Sequence, residues 1–252
     1  LGAVGLGVAR KLEAGIPGLT LAAISVRDID KARRELPRVG SEIPVVAPEA
    51  LAETCDIVVE GLPPACFRAV ASATIAHGRI FMPLSVGQLL ENWDLVDEAR
   101  ANGARILVPT GALIGLDAVR AAAEGEIHSV TMITRKPPGG LDGAPYLSER
   151  GIAVTGLTTA LKVFDGSARD GARGFPANVN VAAALSLAGI GPDRTRLEIW
   201  ADPAVTRNTH RIEVEADTAR FSMMIENVPS AENPRTGRIT ALSTVAALRG
   251  LV

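Results

Sequence analysis

The chain has 252 residues, of which 47% are hydrophobic, so it can bury a sizeable core and is expected to form two domains. Its formal net charge of -2 gives no electrostatic reason to expect nucleic acid or an anionic membrane surface as a partner. A small-molecule ligand fits this balance better.

The two cysteines, Cys55 and Cys66, are too few for a disulfide framework, and Cys55 adjoins the strand-like run DIVVE. We therefore expect a reducing compartment, the cytoplasm. No apolar run approaches the roughly 20 residues that a membrane-spanning helix needs. The first residues also lack the basic and apolar regions of a secretion signal.

The chain opens LGAVGLGVARKL, in which Gly2 and Gly5 have the spacing of the last two glycines of the dinucleotide fingerprint G-x-G-x-x-G. Gly2 would let the backbone approach a pyrophosphate, and Gly5 would let the helix pack closely on a sheet. The fingerprint requires a preceding strand, which we expect before Leu1. The alternative is an apolar helix start with incidental glycines.

Helical and strand-like segments alternate over residues 1–110, which is typical of βαβ units. The predicted helices are 2–15, 28–37, 47–54, 66–78 and 85–103. The predicted strands are 19–26, 44–47, 56–63, 79–85 and 104–112. This order predicts an α/β fold with a Rossmann-type, doubly wound parallel sheet that lacks its first strand and binds a dinucleotide.

The tip of the second strand decides which dinucleotide is favoured, because an acidic residue there bonds the ribose 2′-hydroxyl of NAD. Val26 falls at this position, followed by Arg27 and Asp28. Arg27 could face the 2′-phosphate of NADP, or Asp28 could serve as the acidic residue. A solvated loop pair is the third interpretation.

Residues 111–232 have a different character and predict a second domain of α+β type. Alternating polar and apolar residues indicate antiparallel strands at 127–138, 194–205 and 209–228, and helices are predicted at 157–164 and 179–189. Residues 233–252 predict a C-terminal helix that returns to the nucleotide domain.

Four segments resemble the L-aspartate dehydrogenase family, in the family's order. They are ILVPTGALIGLDAVRAA, GFPANVNVAAALSLAGIG, DPAVTRNTHRIEVEAD and ENVPSAENPRTGRITALSTVAALR. The resemblance implies oxidation of L-aspartate to iminoaspartate with NAD or NADP, followed by hydrolysis to oxaloacetate and ammonia. It also implies a role in pyridine nucleotide biosynthesis, since iminoaspartate feeds NAD synthesis.

The same resemblance implies roles for individual residues. The catalytic histidine of the family corresponds to His210 in RNTHRIEV, and one cofactor contact corresponds to Ala112 in PTGALIG. A second cofactor contact falls on an asparagine of PANVNVA, either Asn178 or Asn180, with Asn180 favoured.

Oxidation of an amino acid at its α-carbon requires a base whatever the family, because hydride leaves the α-carbon only when the amino nitrogen is deprotonated. Histidine, which titrates near neutral pH, is the natural choice. His77 has the position of a helix C-cap, while His128 and His210 each lie at the start of a strand. A histidine at a strand end is more often structural, and only the motif context favours His210.

Recognition of a dicarboxylate requires cations or hydrogen-bond donors. The substrate-binding candidates are Lys136 in TRKPP, Arg207 beside the histidine, and Asn233 with Thr236 in ENPRTG. Lys136 and Arg207 are also compatible with solvated loop charges, and Asn233 and Thr236 with turn and N-cap residues. Ser85, Val86 and Gly87 follow a predicted strand, where their backbone could approach the nicotinamide or form only the N-cap of the next helix.

Other chemistries lack their minimum motifs: C-x-x-C, H-E-x-x-H, the P-loop and G-x-S-x-G are all missing, so we expect no metal. Two alternatives remain. One is a related NAD(P) oxidoreductase acting on another amino or keto acid, of the homoserine or dihydrodipicolinate type. The other is a non-catalytic NAD(P)-binding regulatory module. A homo-oligomer is expected in either case, with small molecules as the other partners.

Overall fold

Two units make up the chain in the computed structural model, which describes residues 1–176, 179–230 and 236–252. Unit 1 consists of Leu1–Pro109 together with Thr240–Val252. Unit 2 consists of Thr110–Ile239. Each unit has its own sheet, as the change of pattern near residue 110 indicates.

Unit 1 contains a three-stranded parallel sheet in the order β1-β2-β3. The strands are β1 (Ile57–Glu60), β2 (Ile80–Pro83) and β3 (Arg105–Ile106). In register, Ile57 pairs with Ile80 and Glu60 with Pro83, so β1 and β2 end at the same edge of the sheet. The predicted α/β class with a parallel sheet is confirmed.

The helices of unit 1 follow the predicted alternation. They are α1 (Ala3–Glu13), α2 (Ile29–Glu35), α3 (Leu51–Thr54), α4 (Pro64–Ala76), α5 (Val86–Glu91), α6 (Asp94–Ala101) and, after unit 2, α11 (Ile239–Arg249). Local signals explain their ends. Asp28 caps α2 by accepting a hydrogen bond from the Lys31 amide at 2.8 Å. Gly15, at φ +96°, takes the chain out of α1.

The strands predicted at 19–26 and 44–47 are reduced to one parallel bridge between Ile24 and Val45. The Ile24 amide donates to the Pro44 carbonyl at 3.0 Å, and the Val46 amide donates to the Ile24 carbonyl at 2.9 Å. Pro44 has no N–H to donate, so the ladder does not extend in that direction. The alternation was predicted correctly here, but the extent of the strands was wrong.

The single helix predicted at 85–103 is also wrong, because it is divided into α5 and α6. Asn92 lies at the break, and its side-chain Nδ2 donates to the Gln88 carbonyl at 2.8 Å. The Asn92 backbone amide donates to the same carbonyl at 3.1 Å, so the side chain adds a second donor at the last turn of α5.

Helix α11 packs in unit 1 beside α1. Val8 and Ile16 form a buried cluster with Met82 of β2 and with Val245 and Leu248 of α11. Burial of such side chains stabilises the fold by about 1.5–3 kcal/mol each. The last helix therefore contributes to the hydrophobic core of unit 1.

Unit 2 is built on a five-stranded sheet in the order β5-β6-β4-β7-β8. The strands are β4 (Ile127–Lys136), β5 (Leu161–Ser167), β6 (Thr195–Ala201), β7 (Asn208–Ala216) and β8 (Arg220–Asn227). The helices are α7 (Leu116–Ala123), α8 (Pro145–Glu149), α9 (Ala168–Gly174) and α10 (Asn180–Ala188). The mixture agrees with the predicted α+β character, except that β4 and β6 are parallel.

The helix predicted at 157–164 is wrong, because β5 begins at Leu161. The strand pairs antiparallel with β6, with Leu161 opposite Ala201 and Ser167 opposite Arg196. These partners are 29 to 40 residues away along the chain, so the local sequence could not show that the segment would join a sheet. The helix predicted at 179–189 is confirmed as α10.

Within the described part of the chain, we find no helix whose length and apolar character would let it cross a membrane.

Candidate active site

His210 lies on β7, the strand next to the central β4, and is only 3% exposed. Its side chain shares the buried face of the strand with Ile212 and Val214, as the period of two requires. Across the sheet His210 pairs with Thr134 on β4 and with Ile225 on β8. Hydrogen bonding on both sides fixes the backbone that carries the imidazole.

Two further polar side chains lie on the same face of β4. Thr134 is 2% exposed, and its Oγ1 is 3.1 Å from Nδ1 of His210. Lys136, two residues further along, is 5% exposed at the end of the strand. We call His210, Thr134 and Lys136 the His210 cluster. Such groups are costly to bury, which makes the cluster a functional candidate.

Burial lowers the pKa of His210 to about 3, and the positive charge of Lys136 adds to this effect. The imidazole is therefore neutral at pH 7 and can accept a proton. The prediction of a base that titrates near neutral pH is not met by the folded chain alone, because the desolvated cluster disfavours an imidazolium ion.

The other two histidines lie elsewhere and are exposed. His77 is the C-cap of α4, as predicted, and its Nδ1 donates to the Ala73 carbonyl at 2.8 Å. His128 is on β4 with its Nδ1 3.8 Å from Oε1 of Glu126.

The two proposed cations behave differently. Lys136 is buried, so its interpretation as a solvated loop charge is wrong. Arg207 is an exposed residue of the β6–β7 connection, as a solvated loop charge would be. Thr236 lies in a turn, where its carbonyl accepts from the Ser230 amide at 2.8 Å. Asn233 lies outside the described residues.

A second polar group surrounds Ala112, the predicted cofactor contact. Nδ2 of Asn227 donates to the Ala112 carbonyl at 3.1 Å. Asn227 is 4% exposed, and its Oδ1 has no hydrogen-bond partner among the residues that the structure describes. A buried acceptor without a donor is the kind of atom that a ligand N–H can satisfy. Sequence reasoning missed Asn227, which ends β8 and reads there as an ordinary strand terminus.

Of the two asparagines in PANVNVA, Asn178 and Asn180, the structure describes only Asn180. Asn180 is the first residue of α10 and is half-buried. Asn178 lies outside the described residues. The choice between them as a cofactor contact stays a prediction.

The predicted dinucleotide residues of unit 1 are placed around the start of α1. Gly2 precedes the helix, and a Cβ built on it would meet no atom within 4 Å. A Cβ on Gly5 would meet only Cδ2 of Leu1, at 3.4 Å, and the close packing of Gly5 on a sheet stays a prediction. Gly7 lies close to another helix, since a Cβ on it would lie 3.0 Å from Cβ of Ala241 on α11.

The start of α1 fits a phosphate. Gly2 has no side chain that could cap the helix, the first turn carries no acidic residue, and there is open space over Gly2. Backbone N–H groups and the helix dipole favour an anion at such an end. Arg27 is exposed just before α2, while the carboxylate of Asp28 is already used as the cap of that helix.

Glu60 is a buried carboxyl group that sequence reasoning missed. It ends β1, is 1% exposed, and accepts hydrogen bonds from the Leu62 amide and from Ser85. Burial raises its pKa, and these hydrogen bonds oppose the rise. In the sequence it closes the apolar run IVVE and reads as a strand end.

Two protein families match the chain, one for each half. The family described as "Aspartate dehydrogenase, C-terminal" matches residues 117–251. The family described as "Homoserine dehydrogenase, NAD binding domain" matches residues 1–109.

Curated relatives and solved structures agree with these matches. An L-aspartate dehydrogenase of Bradyrhizobium diazoefficiens is 57% identical over 249 residues, covering 99% of this chain and 88% of the relative. L-aspartate dehydrogenase 3 of Bordetella bronchiseptica is 52% identical, with coverage of 99% and 92%. The structure of aspartate dehydrogenase from Thermotoga maritima is similar with a TM-score of 0.68 at 24% identity, covering 91% of this chain and 94% of that one. This last likeness bears on the fold alone.

Proposed function

The chain belongs to the L-aspartate dehydrogenase family, and from this premise we propose that it oxidises L-aspartate to iminoaspartate with NAD or NADP. Hydrolysis of the imine then gives oxaloacetate and ammonia. The observation that carries the proposal is the buried, neutral imidazole of His210. It is hydrogen-bonded to Thr134, and the positive charge of Lys136 helps to lower its pKa.

His210 accepts the proton of the substrate ammonium group in this proposal. Its Nε2 has a free lone pair only if Nδ1 carries the hydrogen, and Nδ1 then donates to Oγ1 of Thr134. Thr134 thus selects the tautomer and fixes the plane of the ring. Once the imidazolium has released this proton to solvent, the neutral imidazole can activate the water that hydrolyses the imine.

The basicity of His210 depends on what lies beside it. Without a nearby anion, burial and Lys136 keep the imidazolium unstable. A bound dicarboxylate brings negative charge to Lys136 and to the imidazole, which raises the pKa of His210 toward the working pH. The base therefore becomes effective when the substrate is in place.

The substrate carboxylates are assigned to Lys136, Thr236 and Asn233. Of these three assignments, Lys136 has the strongest structural support, because its side chain is buried at the end of β4 and an ammonium group binds a carboxylate well there. Thr236 and Asn233 remain predictions from the motif ENPRTG.

Oxidation at the α-carbon of the substrate needs a hydride acceptor, which a bound dinucleotide would supply. Gly2 and the first turn of α1 would hold its phosphates, and Gly5 and Arg27 remain predicted contacts nearby. In unit 2, Ala112 and Asn180 or Asn178 are the proposed contacts, with Asn227 holding the Ala112 carbonyl in place.

We also propose that the iminoaspartate supplies NAD biosynthesis and that the enzyme works as a cytoplasmic homo-oligomer. Family resemblance supports the first part. Cys55 and Cys66 are both free, which fits a reducing compartment. Met224, on the edge strand β8, is 59% exposed. An apolar residue that packs against a second subunit is exposed in this way when one subunit is viewed alone.

Initial rates with NAD and with NADP on L-aspartate, L-homoserine and L-glutamate test the proposal. We expect turnover of L-aspartate at a kcat/KM at least a hundredfold above the other two. A preference for L-homoserine would instead support the alternative suggested by the family match of residues 1–109.

A further inference from the structure

Glu60 joins two loops that follow neighbouring parallel strands. Its Oε1 accepts from the Leu62 amide at 2.6 Å and from the Ser85 hydroxyl at 3.1 Å, and its Oε2 accepts from the Ser85 amide at 3.3 Å. The Glu60 carbonyl also accepts from the Leu84 amide at 2.9 Å. The residue is thus bonded to the chain on both sides of the gap between β1 and β2.

Burial of the Glu60 carboxyl group is unfavourable for its ionised form, and nearby hydrogen-bond donors offset this penalty. Desolvation raises the pKa of Glu60, while donors from Leu62 and Ser85 stabilise the ionised form. Val58, on the same face of β1, shows that an apolar side chain would fit the strand pattern. An apolar residue would not hold the two loops together.

Only a carboxylate satisfies all three donors. A glutamine has one oxygen and one NH2 group, so its nitrogen would face either the Leu62 amide or the Ser85 amide, donor against donor. Ser85 also commits its hydroxyl to this arrangement, since it occupies the N-cap of α5 without capping it. Two residues on different loops are therefore specialised for the same contact.

The hydrogen bonds of Glu60 lie at the carboxyl edge of the parallel sheet. Glu60 pairs with Pro83 in register, so the loops after Glu60 and Pro83 lie side by side at the carboxyl edge of the sheet. Doubly wound sheets bind their dinucleotides at this edge. Backbone that must fit a ligand binds it more tightly when it is held in the bound conformation beforehand.

We propose that Glu60 is a positioning residue for the dinucleotide, holding the loops at Leu62 and Ser85 in the conformation that binds it. The carboxyl group is buried and acts through these loops rather than by touching the cofactor. The proposal deepens the function proposed above and rests on its dinucleotide half, independently of His210.

Equilibrium binding of NADH and NADPH to the full chain, followed by cofactor fluorescence, tests the proposal. Glu60→Gln should raise the Kd of the preferred dinucleotide about tenfold or more, as expected for the loss of a hydrogen bond to a charged group. Ser85→Ala, which keeps the backbone donors, should raise it less. Glu53→Gln makes the same change at an exposed residue of α3 and should leave the Kd unchanged.

Two further readouts separate positioning from simple loss of stability. Glu60→Gln should raise the KM for the dinucleotide while the KM for L-aspartate stays the same, whereas a purely structural defect lowers the melting temperature and the active fraction without changing the Kd of the folded protein. A folded Glu60→Gln protein with the wild-type Kd overturns the proposal. Should that variant fail to fold, a wild-type Kd for Ser85→Ala overturns it. If the wild-type chain itself binds neither dinucleotide, the cofactor half of the proposed function fails as well.

Discussion

At the scale of the residue, the proposed chemistry depends on the surroundings of His210, which is 3% exposed and has its Nδ1 3.1 Å from Oγ1 of Thr134. His210 was found through its motif, whereas the contact with Thr134 depends on the pairing of β4 with β7, more than seventy residues apart. Local sequence does not single out Glu60 or Asn227, because each ends a strand and the pattern around it does not show that its side chain is buried, although Asn227 lies within the segment ENVPSAENPRTG. Burial and hydrogen-bond partners, which single them out, exist only in the folded chain.

The low pKa of His210 predicts how stability depends on pH. Above pH 6.5 the imidazole is neutral in the folded and in the unfolded chain, so it contributes no pH dependence. Between pH 6.5 and about 3 the unfolded chain binds the proton and the folded chain does not. The free energy of unfolding should therefore fall as the pH is lowered, by up to about 1.4 kcal/mol per pH unit.

Urea unfolding of the wild type and of His210→Asn from pH 7.5 down to pH 4.5 measures this contribution. The wild-type curve should fall more steeply than that of the variant below pH 6.5. The raised pKa of Glu60 acts in the opposite sense, because stability from that group is lost as the pH rises above 4.5. Since both proteins contain Glu60, the difference isolates His210, and parallel curves would contradict the assignment.

At the scale of the element, sequence predicted what local signals determine. Asp28 and Gly15 were sufficient to place the ends of helices, because caps act within a few residues. The strand β5 and the single bridge at Ile24 were misjudged, because both depend on partners far along the chain. The packing of α1 on α11 through Gly7 was likewise invisible to the glycine spacing.

Gly5 and Gly7 offer a matched test of that packing. Gly5→Ala should raise the free energy of unfolding by up to about 1 kcal/mol, since alanine is the better helix former and only Leu1 lies near. Gly7→Ala brings the same propensity, but its Cβ would lie 3.0 Å from Cβ of Ala241. We expect Gly7→Ala to be less stable than Gly5→Ala by about 1 kcal/mol or more.

Denaturant unfolding of both variants gives the comparison, with Ala241→Gly as the compensating change. In the Ala241→Gly background the penalty at Gly7 should largely disappear. Equal stabilisation by the two alanines would show that α1 and α11 do not approach each other closely at Gly7.

At the scale of the whole molecule, the two units have different proposed roles. Unit 1 has the parallel sheet, the open helix start at Gly2 and the Glu60 contact, which we propose to serve dinucleotide binding. Unit 2 has the His210 cluster and the Ala112–Asn227 pair. Sequence predicted this division near residue 110, because the change from alternating helices and strands to antiparallel patterns is a property of composition and period.

The role of His210 as the general base is tested by measuring kcat/KM for L-aspartate and the Kd for the reduced dinucleotide in the His210→Asn variant. We expect kcat/KM to fall by about two to four decades, the usual contribution of a general base, while the Kd stays unchanged. An active His210→Asn enzyme, or a variant that loses dinucleotide binding along with turnover, would contradict this role.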